Sequence, residues 1–177
     1  MTDDRIRLLR SRIRDIPDFP KQGILFKDIT PLLADVEAFR ACLQLMAEAV
    51  GEEHVDAVVG IESRGFMFGA ALADKLGVGF VPVRKPGKLP AATYRAEYDL
   101  EYGRDAVEIH QDALGQGDRV VVVDDLIATG GTAKATDDLV GRCGAEVVTF
   151  VFVINLASLN GVAKLEPRRV VTILDYD

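Results

Sequence analysis

The sequence predicts an α/β fold in which a mostly parallel sheet is flanked by helices in three layers, and two observations support this prediction. Short apolar runs of strand length alternate with amphipathic runs of helix length through most of the chain. The strand-length runs are apolar throughout, as in the four consecutive valines of residues 120–123, which is typical of strands buried on both faces. Strands that alternate with helices in this way form a parallel sheet with right-handed crossovers.

Length and composition limit the class of protein. With 177 residues, 49% of them hydrophobic, the chain is long enough for one well-buried domain, residues 1–177, and short for two. Its net charge of −7 argues against a general nucleic-acid surface and favours a small ligand. Because the sequence has no signal pattern and no apolar run near the ~18 residues that span a bilayer, we expect a cytoplasmic protein without a membrane partner. Cys42 and Cys143 are expected to be buried, reduced thiols.

The N-terminal part contains two predicted helices joined by a loop. Ile6, Leu9, Ile13 and Ile16 recur at helical spacing and predict an amphipathic helix over 4–15 that Pro17 ends. Residues 17–31 are rich in turn residues yet contain apolar side chains, which indicates an ordered loop or a short extended segment. A second helix is predicted over 35–50. We interpret the arginines of the first helix as a solvated face, not as a nucleic-acid surface: Arg5, Arg7, Arg10, Arg12 and Arg14.

The rest of the chain alternates between predicted strands and helices, with one interruption. A long polar segment over 86–104 breaks the alternation, and its length predicts a flexible lid that contains some β-ribbon. The predicted strands cover residues 56–61, 79–83, 107–110, 120–123, 147–154 and 170–174, and the predicted helices cover residues 66–76, 133–143 and 158–165.

Residues 120–132 join a buried strand to a helix through a short polar turn. Asp124 and Asp125 come directly after the valines, at the carboxyl end of the strand, where ligands of open α/β sheets bind. The Gly130-Gly131 turn that follows lets backbone N–H groups converge on an anion at the start of the next helix. This combination predicts a ligand that carries a phosphate together with hydroxyl groups or a metal.

Two other classes of phosphate-binding protein lack their motifs in this sequence. An apolar run that ends in two aspartates also occurs in P-loop ATPases, but no G-x-x-x-x-G-K-[ST] is present, since Gly87-Lys88 is followed by Leu89. No G-x-G-x-x-G follows a strand, which argues against a dinucleotide-binding fold. His54 and His110 lie apart, without metal-ligand spacing or the partners of a catalytic triad.

Residues 120–132 resemble the signature of the type I phosphoribosyltransferases, which bind phosphoribosyl pyrophosphate. The resemblance implies a Rossmann-like phosphoribosyltransferase fold with a small N-terminal hood for the base, within residues 1–34, and a flexible catalytic loop at 86–104. Further segments are similar, in order and across almost the whole chain, to the adenine-specific branch of this family: residues 19–20, 23–31, 60–66 and 98–103.

The resemblance implies how phosphoribosyl pyrophosphate is bound. Asp124 and Asp125 would face the ribose hydroxyls and the positive charge that develops at the anomeric carbon, because carboxylates stabilise an oxocarbenium-like state. In this fold the loop at 62–64 often carries a non-proline cis peptide. For Lys85, a solvated surface position is an equal alternative to pyrophosphate binding. The 5-phosphate would be held by Ala128, Thr129, Gly130, Gly131 and Thr132, and the pyrophosphate by Glu62, Ser63, Arg64, Arg84, Lys85 and Lys88.

The resemblance also implies the base site. Phe26 corresponds to the residue that stacks on adenine, and Leu156 corresponds to the opposite wall. The backbones of Leu25 and Lys27 would recognise the edge of adenine that carries the 6-amino group.

The expected activity is purine salvage. Adenine N9 would attack the anomeric carbon of phosphoribosyl pyrophosphate, so that pyrophosphate leaves and AMP forms. Glu101, with Tyr102 beside it, corresponds to the family's acid/base group, which a closing loop delivers while water is excluded. Mg²⁺ would be held mainly by the substrate, with Asp124 or Asp125 as candidate direct ligands, and the family implies a homodimer.

Two alternatives to this activity stay open. An enzyme of the same fold could act on another base, although the segment around Phe26 and the loop that holds Glu101 argue against it. A non-catalytic regulator could keep the pocket as a sensor and bind RNA or DNA, which the acidic composition disfavours.

Overall fold

The computed structural model describes residues 4–100 and 103–177, and for Leu100 it describes the backbone alone. The predicted acid/base group Glu101 and its neighbour Tyr102 lie outside the described residues. The chain divides into two compact units, one that ends at Leu45 and one that covers 46–177. Within the described ranges, no helix has the length and apolar character needed to cross a membrane.

The N-terminal unit begins with a helix that is shorter than the predicted one over 4–15. Helix α1 (Asp4–Ser11) is followed by strand β1 (Arg14–Pro17), which pairs antiparallel with β2 (Leu25–Asp28). The predicted extension to residue 15 is wrong because the chain from Arg14 onward pairs with β2, where the β-branched Ile16 lies opposite Phe26. Two ion pairs of 2.6 Å also link these strands, Arg14 to Asp28 and Lys27 to Asp15.

Two helices follow β2, and aspartate side chains lie at their starts. Helix α2 (Thr30–Ala34) was not predicted, although a proline in its first turn suits a helix start. Asp28 accepts hydrogen bonds from the hydroxyl of Thr30 at 2.6 Å and from its N–H at 2.9 Å, and these bonds lower the pKa of Asp28 to about 2. Helix α3 (Val36–Val50) confirms the predicted second helix. At the N-terminus of α3, Asp35 accepts hydrogen bonds from the N–H groups of Glu37 and Ala38, both at 3.0 Å.

The larger unit contains a five-stranded parallel sheet flanked by helices, which confirms the predicted fold class. In chain order its elements are β3 (Ala57–Ile61), α4 (Gly65–Leu76), β4 (Gly79–Val83), β5 (Thr93–Leu100), β6 (Gly103–His110), β7 (Arg119–Ile127), α5 (Gly131–Arg142), β8 (Glu146–Leu156) and β9 (Val170–Tyr176). The strands of the sheet lie in the spatial order β4-β3-β7-β8-β9, and β5 and β6 form a separate antiparallel ribbon. Because β7 lies between β3 and β8, the loops that follow β3 and β7 meet at one edge of the sheet.

Apolar side chains of the strands and of α5 form the core of this unit. The four valines of residues 120–123 are all 0% exposed, as their sequence predicts. Leu139 of α5 is fully buried against the same cluster. The rings of Phe150 and Phe152 on β8 are stacked, with centroids 6.1 Å apart. The central strand is therefore held rigidly on both of its faces up to the point where its aspartates begin.

Two boundaries after the valine run differ from the prediction. Strand β7 does not end at Val123 but continues through both aspartates to Ile127, which pairs with Asn155 of β8. The helix predicted over 158–165 is instead two short 3₁₀ helices, Ala157–Leu159 and Gly161–Leu165. Asn160 separates them with a φ of 51°, a left-handed conformation that a continuous helix cannot contain.

The segment over 86–104 is more regular than predicted. Strands β5 and β6 pair without interruption from Thr93 opposite His110 to Leu100 opposite Gly103. The expected β-ribbon is therefore confirmed, and the expected flexibility of the lid stays a prediction. Side chains alternate along β5, since Tyr94, Ala96 and Tyr98 pack against the core, and this period of two predicts a strand that the polar composition concealed.

We expect Leu139→Ala to lower the free energy of unfolding by about 2–5 kcal/mol, because it leaves a cavity in the core. Leu159→Ala is the matched control, since Leu159 is 44% exposed, and it should change stability by less than about 0.5 kcal/mol. Urea unfolding followed by circular dichroism measures both. Equal losses in the two variants would contradict the described core.

Candidate active site

The site predicted from the sequence lies at the carboxyl edge of the parallel sheet, where two loops meet. The loop at 62–64 follows β3, and the neighbouring strand β7 carries the two aspartates, with Val123 paired to Gly60. Helix α4 begins at Gly65, and a Cβ at this position would lie 2.8 Å from the Val123 carbonyl oxygen and 2.9 Å from Asp124 Oδ1. A side chain at residue 65 would therefore separate the 62–64 loop from the aspartates.

Asp124 and Asp125 form an electrostatically unfavourable pair. Asp125 is 4% exposed, and its own N–H donates to Asp124 Oδ1 at 2.8 Å. Burial raises the pKa of Asp124 well above its usual value, and the negative charge of Asp125 raises it further. Burial also raises the pKa of Asp125, although the positive charge of Arg64 opposes that rise. The pair is suited to groups that donate hydrogen bonds or carry positive charge.

Arg64 is the cation nearest to this pair. Its Nε lies 3.0 Å from Asp125 Oδ2, which satisfies the distance of an ion pair. The N–H does not point along this contact, and within the described chain Asp125 Oδ2 is a buried acceptor without a hydrogen bond. A buried acceptor of this kind can receive a hydrogen bond from a ligand hydroxyl at low cost.

The loop at 62–64 is organised by the side chain of Glu62. The Glu62–Ser63 peptide is cis, as the resemblance implies. Glu62 accepts the N–H of Lys85 at 2.8 Å and contacts the Arg84 guanidinium at 3.2 and 3.3 Å. Burial alone would raise the pKa of Glu62, but these partners outweigh it and hold the pKa below its usual value. Because Glu62 is ionised and already paired, its side chain positions the basic segment after β4.

The predicted cations of that basic segment differ in their partners. Lys85 Nζ donates to Tyr98 Oη at 2.8 Å and to the carboxylate of Asp105, both on the β5–β6 ribbon. Burial alone would lower the pKa of Lys85, but Asp105 and Tyr98 outweigh burial and raise it. Lys88 is exposed, and in the described part of the chain its side chain has no ion pair.

Asp105 and Glu108, two acidic residues that hold this segment, were missed by the sequence analysis. Asp105 pairs with Lys85, and Glu108 Oε2 accepts the N–H of Gly87 at 3.1 Å. Glu108 is only 8% exposed. No local pattern marks either residue, because their partners lie about twenty positions earlier in the chain.

The segment 128–132 forms the turn between β7 and α5. Gly130 has a φ of 76°, a left-handed conformation that glycine adopts without strain, and Gly131 begins the helix. A cavity of about 240 Å³ lies here and is lined by Asp124, by residues 126–133 and by Phe152. N–H groups in the first turn of a helix have no partner within the helix, so this cavity suits a phosphate group.

A larger depression of about 490 Å³ lies elsewhere, among Glu53, His54, Arg119 and their neighbours. Two of its charged side chains, Arg119 and Glu53, pair with each other at 2.6 Å. It contains none of the predicted site residues, whereas Asp124 and residues 128–132 line the smaller cavity.

The predicted adenine residues lie in both units of the chain. In the N-terminal unit, the ring of Phe26 on β2 packs edge-to-face on Phe19 at 5.1 Å between centroids. Leu25 is 50% exposed, while Lys27 is buried and paired with Asp15 through its side chain. In the larger unit, Leu156 is half-buried at the end of β8.

The chain matches a family model and proteins of known activity. The model of the phosphoribosyl transferase domain matches residues 29–175. The adenine phosphoribosyltransferase of Synechococcus sp. is 57% identical over 169 residues, which cover 96% of this chain and 99% of that protein. The adenine phosphoribosyltransferase of Carboxydothermus hydrogenoformans is 56% identical over 168 residues, which cover 95% of this chain and 99% of that protein.

Solved structures of the same enzyme also resemble this chain. The structure of adenine phosphoribosyltransferase from Thermoanaerobacter pseudethanolicus superposes with a TM-score of 0.94 at 50% identity, covering 97% of this chain and 99% of that one. The enzyme from Saccharomyces cerevisiae, complexed with an imino-altritol bisphosphate and adenine, superposes with a TM-score of 0.91 at 42% identity and covers 97% of this chain and 99% of its own.

We expect Asp124→Asn to increase resistance to urea at pH 7. The raised pKa of Asp124 means that the folded state disfavours the ionised carboxylate, and asparagine removes that charge while keeping an oxygen for the N–H of Asp125. As pH falls through the raised pKa, the folded wild-type protein binds a proton before the unfolded chain does and gains stability. The advantage of the variant should therefore shrink as the pH falls.

The matched control is Asp112→Asn, since Asp112 is exposed and its substitution should leave the pH profile of stability unchanged. An Asp124→Asn protein that is less stable than the wild type at pH 7 would contradict this description of the pair.

Proposed function

This chain belongs to the adenine phosphoribosyltransferases of the phosphoribosyltransferase family, and we propose that the carboxyl edge of its parallel sheet is the active site. The enzyme transfers the phosphoribosyl group of phosphoribosyl pyrophosphate to N9 of adenine, giving AMP and pyrophosphate in purine salvage. The observation that carries the assignment of the site is the pair of adjacent aspartates, of which Asp125 is buried and Asp124 lines a cavity of about 240 Å³ together with residues 126–133.

The chemical demand of the reaction matches the aspartate pair. The bond from the anomeric carbon to the pyrophosphate oxygen breaks, the bond to N9 forms, and the ribose carries positive charge between the two events. Asp124 and Asp125 face this charge in our proposal, and their carboxylates also accept hydrogen bonds from the ribose hydroxyls. The mutual repulsion of the pair supports this role, because a developing cation relieves it.

The two anionic ends of the substrate require separate sites. We assign the 5-phosphate to residues 128–132, because glycine backbone and the first turn of α5 line the cavity there. The pyrophosphate is assigned to Ser63 and to the cations nearest the cis-peptide loop, Arg64, Lys85 and Lys88. Glu62 and Arg84 support that loop through the ion pair that joins them.

The proton of adenine needs an acceptor when N9 attacks. Glu101, with Tyr102 beside it, is our proposed acid/base residue, on the grounds of the segment similarity at 98–103. In the sequence Glu101 follows directly after β5, and Tyr98 of that strand lies against the turn at 128–132, since a Cβ at Gly131 would be 3.2 Å from Tyr98 Cδ2. A carboxylate can take the N9 proton while the new bond forms.

The carboxylate oxygens at the carboxyl edge of the parallel sheet are of a kind that binds Mg²⁺. Within the described ranges, no three histidine, cysteine or acidic side chains form a group that could hold a metal, and Mg²⁺ commonly uses one or two carboxylates together with substrate oxygens and water. Asp124 or Asp125 would supply that carboxylate, and Asp125 Oδ2 accepts no hydrogen bond from the residues that the structure describes. When bound, the ion supplies neutralisation of the charge on the leaving pyrophosphate.

The assembly and location of the enzyme are also proposals. We propose a homodimer, in which the basic segment after β4 contributes to the partner's site. Size-exclusion chromatography with multi-angle light scattering measures the mass of the assembly. The thiols of Cys42 and Cys143 are free, which fits a reducing cytoplasm.

The activity is tested with purified protein, Mg²⁺ and phosphoribosyl pyrophosphate. We expect adenine to be consumed and AMP to appear, with hypoxanthine and guanine competing poorly. Turnover of another base in preference to adenine would favour an enzyme of different specificity. Binding of phosphoribosyl pyrophosphate and of RNA or DNA without turnover would favour the regulator.

We expect Phe26→Ala to raise the KM for adenine about tenfold or more, because stacking of a base on an aromatic ring contributes about 1–3 kcal/mol. The KM for phosphoribosyl pyrophosphate should change little. Phe26→Tyr keeps the ring and is the matched control, for which steady-state kinetics should give a nearly normal KM for adenine. An unchanged KM in the alanine variant would remove Phe26 from the base site.

A further inference from the structure

Gly161, at the start of the second 3₁₀ helix, lies unusually close to the turn at 128–132, which we call the phosphate turn. A Cβ at Gly161 would overlap the carbonyl oxygen of Ala128, and it would lie 2.8 Å from the backbone nitrogen of Gly130. The contact is reciprocal, since a Cβ at Gly130 would overlap the carbonyl oxygen of Gly161. The two segments therefore touch through backbone atoms, and either added methyl group would separate them.

Close approach, and not backbone conformation, is what requires glycine at position 161. Gly130 has a positive φ of 76°, whereas Gly161 is not among the residues with positive φ. An alanine at 161 would thus be compatible with the local dihedral angles. Its methyl group would meet main-chain atoms of residues 128–130, which cannot rotate away as a flexible side chain can.

Of the two segments in this contact, the phosphate turn is the one that an added methyl group would displace. The 3₁₀ helix Gly161–Leu165 is anchored, because Leu165 is 1% exposed and Val162 also packs against the core. Ala128 and Thr129 are only partly buried, and they lie in the turn that bounds the cavity. A methyl group at 161 would therefore displace the turn, not the anchored helix.

We propose that Gly161 is a positioning residue that sets the place of the 128–132 turn and thereby the affinity for the 5-phosphate. This inference rests on the assignment of that turn to the 5-phosphate. The segment that carries Gly161 also begins directly after Leu156, the proposed wall of the base site. Gly161 lies outside every segment that the motif similarity covers, and its role follows from the contact with the turn alone.

The test is Gly161→Ala, with ligands that separate the parts of the substrate. Ribose 5-phosphate carries the 5-phosphate without the pyrophosphate, and pyrophosphate carries neither ribose nor 5-phosphate. We expect the Kd for ribose 5-phosphate and the KM for phosphoribosyl pyrophosphate to rise about tenfold or more, since misplacement of a binding group by about 1 Å has effects of this order or larger. The Kd for pyrophosphate should change less than about twofold.

Gly141→Ala is the matched control. Gly141 lies in α5, where an added Cβ has no atom within 4 Å, and this variant should bind all ligands normally. A general loss of structure in the Gly161→Ala protein would weaken pyrophosphate and ribose 5-phosphate alike and lower the melting temperature. The proposal requires the loss to fall on the 5-phosphate.

A milder pair of variants at Asn160 covers the case in which Gly161→Ala does not fold. Asn160 is exposed and has a φ of 51°, which asparagine and glycine tolerate better than alanine. We expect Asn160→Ala to weaken ribose 5-phosphate binding by about two- to fivefold, because it shifts the residue before Gly161. Asn160→Gly should preserve that binding.

Calorimetric titration of each protein with ribose 5-phosphate and with pyrophosphate decides the question. Equal ribose 5-phosphate affinity in the wild type and Gly161→Ala would overturn the proposal, as would equal affinity in Asn160→Ala and Asn160→Gly. A wild-type protein that binds ribose 5-phosphate without turning over adenine would contradict the proposed function instead, and the comparison of variants would still test Gly161.

Discussion

The repulsion between Asp124 and Asp125 must be offset by the packing of the rest of the larger unit. The two carboxylates are neighbours on the central strand, Asp125 is almost fully buried, and the pKa of each is raised by burial. In an isolated strand both carboxylates would be hydrated, and their pKa values would not be raised by burial. They are held in place because the fully buried valines before them fix the strand between β3 and β8. The stability of the core thus compensates for the cost of holding these two carboxylates away from water.

The cations of the site are arranged by acidic residues of the same chain. Arg64 faces Asp125, Arg84 faces Glu62, and Lys85 faces Asp105. A protein with a net charge of −7 can therefore build an anion site without a broad basic surface. In the proposed site, each pairing holds a cation in one orientation before the substrate arrives, which reduces the entropy lost on binding. Lys88, which is exposed and has no ion pair among the described residues, is the most adaptable of these cations.

The sequence predicts those parts of the molecule that depend on local patterns. The valine run predicts a buried central strand, and the alternation of apolar runs predicts the parallel sheet. Errors occur where contacts between distant segments decide the structure. Ile16 fits a helix by spacing but pairs with β2 in a strand. The strand at 119–127 extends past its aspartates because β8 continues beside it. Asp105 was missed for the same reason, since its role exists only through Lys85.

The shape of the site depends as much on its glycines, which have no side chain, as on the side chains that line it. Gly65 brings the cis-peptide loop against Asp124, and Gly161 brings an anchored helix against the phosphate turn. In both places a single methyl group would meet atoms of the chain that lines the site, so backbone packing sets the separation of the aspartates, the turn and the loop. A reaction that spans a phosphate, a ribose and a pyrophosphate needs these separations fixed to within about half an ångström. Sequence motifs name the groups that carry charge, whereas the glycines that set the distances between them become visible only in the folded chain.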